Sequence, residues 1–380
     1  MRFTVLGAGL QGAACAYDLL QDESTSEVRL ADRAFDRLPA FLQPYVGQRL
    51  TLHTVDAADS AAAAGVMRGT VSAMCAMPYY FNLPLARAAV ESGVHFADLG
   101  GNTAIVEQQM AELDAPARAA GVSVLPDCGL APGLVNVIAE HGIRQCESVR
   151  AVRCYVGGLP QQPEPPLNYQ IVYSLEGVLD YYTTPSWVLR GGVPTQVPAL
   201  SETVPVRFPA PLGTLEAFHT AGGLSLMAAR YEGRIPVMEY KTLRYPGHAA
   251  VMAAIRDLGF LSTTPVTVGD QPVVPRELAI AVLDPVLRKP GAPDVVALRV
   301  EVEGVQRGAA VTLTWELVDR SDAATGITAM MRTTAFSLAI IGRLQATGAV
   351  TPGVQTPDVG VPAAPYLDAL RARGVDVRAH

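Results

Sequence analysis

Between an apolar run, Phe3–Leu6, and a helical pattern, Leu10–Leu20, lies Gly7-Ala8-Gly9-Leu10-Gln11-Gly12, and few folds can use that arrangement. The three glycines serve separate purposes. Gly7 permits a tight turn, Gly9 lets the backbone approach a ligand, and Gly12 allows the helix to come close to the strand. The amides of Leu10, Gln11 and Gly12 at the helix start then face the phosphates of a dinucleotide. Asp32 ends the next apolar run, Val28–Ala31, twenty residues after Gly12, where a carboxylate accepts hydrogen bonds from the adenosine ribose. A carboxylate there repels a 2′-phosphate, so the expected cofactor is NAD, with NADP the less favoured form. Arg33 pulls the other way, because a guanidinium can pair with that phosphate.

The alternation continues to about residue 130. Apolar runs at Leu52–Val55, Val71–Ala76, His95–Asp98 and Val122–Pro126 are separated by helical patterns at Ser60–Met67, Leu83–Ser92 and Ala104–Ala120. Strands alternating with helices imply a Rossmann doubly wound parallel sheet. Asp56 follows the third run, where it either borders the adenine or helps to cap the helix beginning near Asp59-Ser60. Met77 and Pro78 follow the fourth run, beside the nicotinamide half of a dinucleotide.

Beyond Gly129 the texture becomes α+β. A helical pattern opens at Ala131-Pro132-Gly133, and strands are expected at Arg150–Val156, Met238–Tyr245, Ala297–Val302 and Val311–Leu317. Leu189–Val193 reads as a hairpin turn, and Gly304–Gly308 as the turn of a longer hairpin. Helices are expected at His248–Leu258, Pro275–Leu287 and Ile327–Leu344. The 380 residues exceed one typical core, so two domains are expected, 1–130 for the dinucleotide and 131–325 for the substrate.

Composition removes several classes of function. A net charge of −7 without a basic tract argues against nucleic acid. The least charged window, Gly69–Ala86, is interrupted by Pro78, Asn82 and Pro84, so no membrane span is expected. Arg2–Leu6 already reads as a strand, so a cytoplasmic protein without a leader is expected. Cys15, Cys75, Cys128, Cys146 and Cys154 are scattered, without a CxxC pair, and argue for free thiols rather than a metal site or disulfides.

Several longer segments resemble lysine 6-dehydrogenase, within the broader saccharopine dehydrogenase-like group. They are Asp98-Leu-Gly-Gly101, Asp127-Cys-Gly-Leu-Ala-Pro-Gly133, Tyr155–Pro160, Pro163–Tyr169, Ser174–Gly177, Leu215–Thr220 and Tyr240–Tyr245. The resemblance implies NAD-dependent oxidation at the ε-carbon of L-lysine, with ammonia lost after imine hydrolysis and the semialdehyde cyclising. It also implies a glyceraldehyde-3-phosphate-dehydrogenase-like α+β substrate domain, residues 326–380 returning to the first domain, and a homodimer or higher homo-oligomer. The alternatives are a saccharopine- or carboxynorspermidine-type dehydrogenase, or a non-catalytic NAD(H)-binding sensor.

That chemistry has definite needs. An ε-ammonium, with a reference pKa of about 10.4, must lose a proton before it can release hydride. A carboxylate on the substrate calls for Arg. Asp98 and Asp127 end the fifth and sixth runs, where ligands of open α/β sheets bind, and either could hold an amine or steer a base; turn or cap duty is the alternative for each. His219, beside Thr220, suits proton shuttling. Lys241 is a candidate base if burial lowers its pKa, and Arg244 a candidate carboxylate clamp. His248 is a weaker candidate. Glu164 and Tyr169 are placed on a stiff loop over the cleft. No metal is expected.

Overall fold

Short runs buried on both faces form parallel strands only when helices cover the sheet, and the computed structural model, which describes residues 1–380, shows this in the N-terminal third. In order come β1 (Arg2–Leu6), α1 (Leu10–Leu20), β2 (Glu27–Asp32), β3 (Leu50–Thr54), α2 (Ser60–Met67), β4 (Ser72–Cys75), α3 (Asn82–Glu91), β5 (His95–Asp98), α4 (Thr103–Ala120) and β6 (Ser123–Leu125). Helix starts have local causes. Asp59 accepts the Ala61 and Ala62 amides to cap α2, and Asn102 accepts those of Ala104 and Ile105 to cap α4. The strands lie parallel in the order β3-β2-β1-β4-β5-β6, so the connection reverses direction between β1 and β4. Ligands of such sheets bind at that switch point, beyond the carboxyl ends of the strands.

The remainder builds a mixed sheet. It comprises α5 (Leu134–Ile143), β7 (Ser148–Pro160), α6 (Leu175–Thr183), β8 (Ser186–Arg190), β9 (Val193–Val197), β10 (Val204–Arg207), β11 (Thr214–His219), α7 (Met227–Arg230), β12 (Val237–Arg244), α8 (His248–Asp257), β13 (Val266–Val268), β14 (Gln271–Val273), α9 (Pro275–Leu287), β15 (Asp294–Gln306) and β16 (Ala309–Arg320). The main path runs β10-β11-β12-β7-β15-β16, with only β12 and β7 parallel. The β8–β9 turn is Gly191-Gly192, both at positive φ. The β15–β16 hairpin is longer than its apolar stretches suggested. It pairs through Gln306↔Ala309 and turns at Arg307-Gly308, because the alternating glutamates of β15 are sheet residues facing away from the core.

The chain then crosses back. Thr328 caps α10 (Ala329–Ala346), which packs on α1, β4 and β5, and β17 (Gly353–Val354) adds a parallel strand beside β6. Near the end of the chain, β18 (Arg378–Ala379) pairs with β16. One continuous apolar cluster joins α1, α5 and α10 to the inner face of the mixed sheet: Val152, Cys154 and Val156 of β7, Met238 and Tyr240 of β12, and Leu298 and Val300 of β15. No helix is long and apolar enough to cross a membrane.

Candidate active site

The glycine turn combines two tightly packed positions with one open one. Gly7 sits at φ +97, where a Cβ would lie 3.0 Å from the Ala76 carbonyl and the Met77 sulfur, and a Cβ at Gly12 would overlap the Gly7 carbonyl. Gly9, by contrast, faces open space. No side chain caps α1, so its first amides are free for an anion. The Gln11 side-chain amide is buried with neither its nitrogen nor its oxygen partnered, a costly arrangement that a bound polar group would relieve. Leu10 stands half exposed beside it, and Pro78 follows Met77 at the end of β4.

Asp32 stands beside this turn. Its Oδ2 accepts the Ala8 amide at 2.6 Å and its Oδ1 accepts the Arg33 amide at 2.6 Å, so the carboxylate buttresses the turn. The Arg33 side chain is exposed, and neither it nor that of Arg37 is engaged in an ion pair. Asp56 accepts the Ala58 amide at 3.0 Å in a local turn, and the helix that follows is capped by Asp59.

Two buried carboxylates meet at the ends of β5 and β6. Asp98 is held by Gln109 Nε2 at 2.9 Å and by the Gly100 amide at 2.7 Å, and its Oδ1 lies 3.4 Å from the Asp127 amide. Burial pushes Asp98 up to about 6. Asp127 is raised to about 7, first by burial and then by the neighbouring Asp98 charge. Asp127 sits at φ 64 and Ser225 at φ 51, both left-handed, and the Ser225 hydroxyl donates to Asp127 Oδ2. Two strained non-glycine residues bonded to each other are typical of functional sites. Asp127 Oδ1 is left without a partner. Gly100 lies so close to it that any side chain there would overlap. Asn136 supports the Ser225 loop: its Oδ1 takes the Gly133 amide at 2.7 Å while its Nδ2 donates to the Gly223 carbonyl at 3.1 Å.

Tyrosines lead from this pair into the second domain. A Cβ at Gly101 would lie 3.6 Å from the Tyr181 hydroxyl, and one at Gly222 would lie 3.3 Å from the Tyr181 ring. Tyr181 and Tyr182 come from α6, which Ser174 caps. Next stands Arg244, buried, with its guanidinium 4.7 Å from the Tyr169 ring centroid. Its Nε donates to Tyr182 Oη at 3.2 Å and its Nη1 to the Leu243 carbonyl at 2.8 Å. No carboxylate pairs with it. Glu216, opposite in the ladder, gives its oxygens to the Gly247 and Ala249 amides at 3.0 and 2.6 Å. Burial works against the Arg244 charge, but Tyr182, Tyr169 and Tyr173 raise its pKa above the ordinary value, so it stays cationic. His248 fixes this arrangement. Its Nδ1 lies 3.0 Å from the Leu167 carbonyl and its Nε2 2.9 Å from Tyr182 Oη, and burial lowers it to about 3. The neutral ring therefore donates to Leu167 and accepts from Tyr182, which turns the tyrosine oxygen toward Arg244. Tyr169 is buried with its hydroxyl unpartnered.

The strand register separates the other candidates from this cleft. His219 pairs with Lys241, and Phe218 with Thr242. Alternation therefore puts Thr242 and Arg244 on one face of β12, and Lys241 on the other with His219. Thr220 stays near the inner side, 2.7 Å from Thr242 Oγ1. Lys241 Nζ donates to the Glu202 carbonyl at 2.7 Å, and His219 lies 3.1 Å from Glu202 Oε2. Burial lowers the pKa of both. The proton-transfer roles expected of His219 and Lys241 are thus corrected by geometry, since both are spent in a charge cluster behind the sheet. Glu202, His219 and Glu239 have the spacing of a cation site, but Arg190 supplies the cation, reaching Glu239 at 3.0 Å and Glu202 at 2.7 Å. Glu164 lies on the surface, ion-paired with Lys289. Surface depressions lined by Arg150, Glu303 and Thr312, and by Arg207, Arg299 and Glu316, lie elsewhere on the mixed sheet.

Comparison with known proteins places the chain. Residues 3–125 match the saccharopine dehydrogenase NADP binding domain, and residues 129–375 match the saccharopine dehydrogenase C-terminal domain. The chain belongs to the saccharopine dehydrogenase family. Within that family it is 28% identical over 199 residues to saccharopine dehydrogenase [NADP(+), L-glutamate-forming] of Pyricularia oryzae, covering 49% of this chain and 42% of that protein. The namesake enzyme of Schizosaccharomyces pombe is 25% identical over 271 residues, 68% of this chain and 58% of that protein. The matches thus span about half the length of these curated relatives. In fold, the chain is similar to apo saccharopine dehydrogenase (L-Glu forming) from Saccharomyces cerevisiae, with a TM-score of 0.80 at 19% identity over 100% of this chain and 99% of that one. It is also similar to homospermidine synthase from Legionella pneumophila, at 0.70 and 12% over 100% and 91%.

These findings overturn the expectation of NAD. The domain matched is an NADP binding domain, and the fungal relatives are named for NADP(+). The physical reason lies at the end of β2. There the exposed Arg33 guanidinium, which is in no ion pair, can pair with a 2′-phosphate, while the Asp32 carboxylate is turned to the Ala8 and Arg33 amides. Sequence reasoning also missed Ser225, Asn136, Gln109, Tyr181 and Tyr182, which carry no local motif; only the two adjacent tyrosines hinted at an aromatic wall.

Proposed function

We propose that this chain is an NADP-dependent oxidoreductase that acts at an amine-bearing carbon of an amino acid with a single carboxylate, the ε-carbon of L-lysine. The observation that carries the reading is Arg244, a buried guanidinium with no carboxylate partner, facing tyrosines that lead to Asp98 and Asp127. An unpaired buried charge is costly and calls for a ligand of opposite sign. Arg244 holds the substrate carboxylate, with Tyr169 Oη as a second donor. Gly7, Gly9, Gly12 and the amides opening α1 would hold the pyrophosphate of NADP, Gln11 would bond to the cofactor, and Arg33 would pair with the 2′-phosphate. When bound, NADP accepts the hydride.

The chain's own residues manage the protons. Asp127, lifted to about 7 by burial and Asp98, is half deprotonated near neutrality and takes the proton from the substrate ammonium through Oδ1, the oxygen that Ser225 leaves free. Asp98 keeps the amine end negative. The same carboxylate returns a proton when water adds to the imine. L-lysine brings a single carboxylate, and Arg244 is the buried guanidinium of this cleft without a carboxylate partner. The relatives' names favour a second reading, saccharopine as substrate. It has more carboxylates to seat, and the other nearby cations, Arg190 and Lys241, are engaged on the opposite face.

The test is an assay with NADP and either lysine, ornithine or saccharopine, following NADPH and ammonia. Lysine should be oxidised with ammonia released. Turnover of saccharopine alone, with glutamate and no ammonia, would replace the lysine reading.

A further inference from the structure

The bond between Ser225 and Asp127 joins the two domains at the proposed base. Asp127 follows β6 of the first sheet, and Ser225 lies between β11 and α7, in a loop that leaves it little freedom. Its amide donates to the Gly222 carbonyl at 2.9 Å. Gly222 sits at φ +87, and a Cβ at Gly223 would lie 2.3 Å from the Tyr240 ring, so the loop packs directly on β12. Asn136 of α5 holds the Gly223 carbonyl at 3.1 Å. Ser225 itself takes φ 51, a conformation that glycine adopts freely and serine does not. What the serine contributes there, and glycine cannot, is its hydroxyl.

We propose that Ser225 is the positioning residue for Asp127: it fixes which carboxyl oxygen meets the substrate, and it makes that aim depend on the substrate domain's loop being in place. This rests on the reading of Asp127 as the base. The torsion that turns a carboxyl about its Cβ–Cγ bond is broad and roughly two-fold, so an aspartate's own rotamer does not choose between its oxygens. Ser225 chooses. It donates to Oδ2, and Oδ1 is left unpartnered over Gly100, where no side chain intervenes. The titratable groups facing Asp127 are Asp98 of β5, Cys128 beside it in the chain and Tyr181 of α6. Burial pushes the Cys128 thiol and the Tyr181 hydroxyl up, so both stay neutral, and Asp98 opposes a second negative charge. None of them supports the carboxylate. Against the burial that raises Asp127, support comes from the Ser225 hydroxyl and then from the Gly101 amide, because a donor to the charged form makes that form easier to reach.

The experiment uses the full chain with Ser225→Gly, Asp127→Asn and the two combined, in thermal melts at about pH 4 and about pH 8. Glycine relieves the left-handed backbone, so Ser225→Gly should melt close to the wild type at the lower pH, where Asp127 is neutral. At the higher pH, the gain in melting temperature from Asp127→Asn should be larger in the Ser225→Gly chain than in the wild type, because the ionised carboxylate has lost its donor. This comparison needs no substrate. In assays with NADP and lysine or saccharopine, Ser225→Gly should lower kcat roughly 10²-fold with KM within about threefold, and the rise of kcat/KM should move to higher pH. Ser225→Ala, which keeps a side chain in the loop, must show the same two shifts. An equal gain from Asp127→Asn in both chains, or an unmoved pH profile, overturns the role of Ser225. So does a Ser225→Gly chain that melts far below the wild type at both pH values, the mark of a merely structural residue. Wild-type turnover in Asp127→Asn would instead overturn the reading of Asp127 as base and the role of Ser225 with it, and the melts tell the two failures apart.

Discussion

Asp127 concentrates the chemistry of the site in one carboxyl group. It is buried, left-handed in backbone, bonded by Ser225 at one oxygen and free at the other, with Asp98 close enough to oppose its ionisation. Its folded pKa, about 7, lies above its unfolded value. The neutral form is therefore favoured by folding, and that contribution to stability is complete below about pH 4 and lost as pH rises through about 7. Asp127→Asn keeps the shape without the charge. It should raise the thermal midpoint above that of the wild type at about pH 8, with the difference closing toward about pH 4. Turnover should fall roughly 10²- to 10⁴-fold, and the rise of kcat/KM through about pH 7 should disappear. Calorimetry and a pH–rate profile check both. Wild-type turnover in the variant would remove Asp127 from proton transfer.

At the scale of elements, β12 shows how a motif can be real and still be misassigned. Tyr240-Lys-Thr-Leu-Arg-Tyr245 contains a lysine and an arginine three apart, which on a strand face opposite ways. Only the ladder with β11 tells which of them enters the cleft. It pairs Lys241 with His219 and Arg244 with Glu216, and the inner cluster claims Tyr240. His219→Ala and Lys241→Ala should therefore destabilise the fold by about 1–3 kcal/mol each, through lost partners of buried groups, while turnover stays within about tenfold of wild type. Denaturation midpoints and steady-state kinetics on the two variants separate these effects, and a hundredfold loss of turnover at normal stability would return them to the mechanism. The glutamates of β15 teach the same lesson. Their alternation with apolar residues obscured the full length of the hairpin, because half of a strand answers to solvent.

Across the whole molecule, the two sheets share one interior. Gln345, on α10, reaches the first sheet: Ser72 Oγ donates to its Oε1 at 2.8 Å, and its Nε2 donates to the Phe96 carbonyl at 2.9 Å. A glutamine that is 1% exposed lets a late helix be bonded to strands more than two hundred residues earlier. Gln345→Leu leaves those groups unpaired and should lower stability by about 3 kcal/mol, read as a lower denaturant midpoint at unchanged slope. A shift of a few tenths would mean that water replaces the amide.

By itself the sequence determined the parallel sheet with its alternating helices and the glycine turn after the first strand. Those features depend on periodicity, on glycine sterics and on capping residues within a few positions of where they act. Asp98, Asp127 and Arg244 could also be picked out locally, as charges at the ends of strands. Which charges face one another was decided only by tertiary structure. Whether Asp32 meets a ribose or the turn's own amides, whether Lys241 or Arg244 enters the cleft, and which tyrosines line it all depend on register and packing between segments far apart in the chain. A charged side chain takes its role from the partners that desolvate and bond it, and those partners are brought together only by the folded whole.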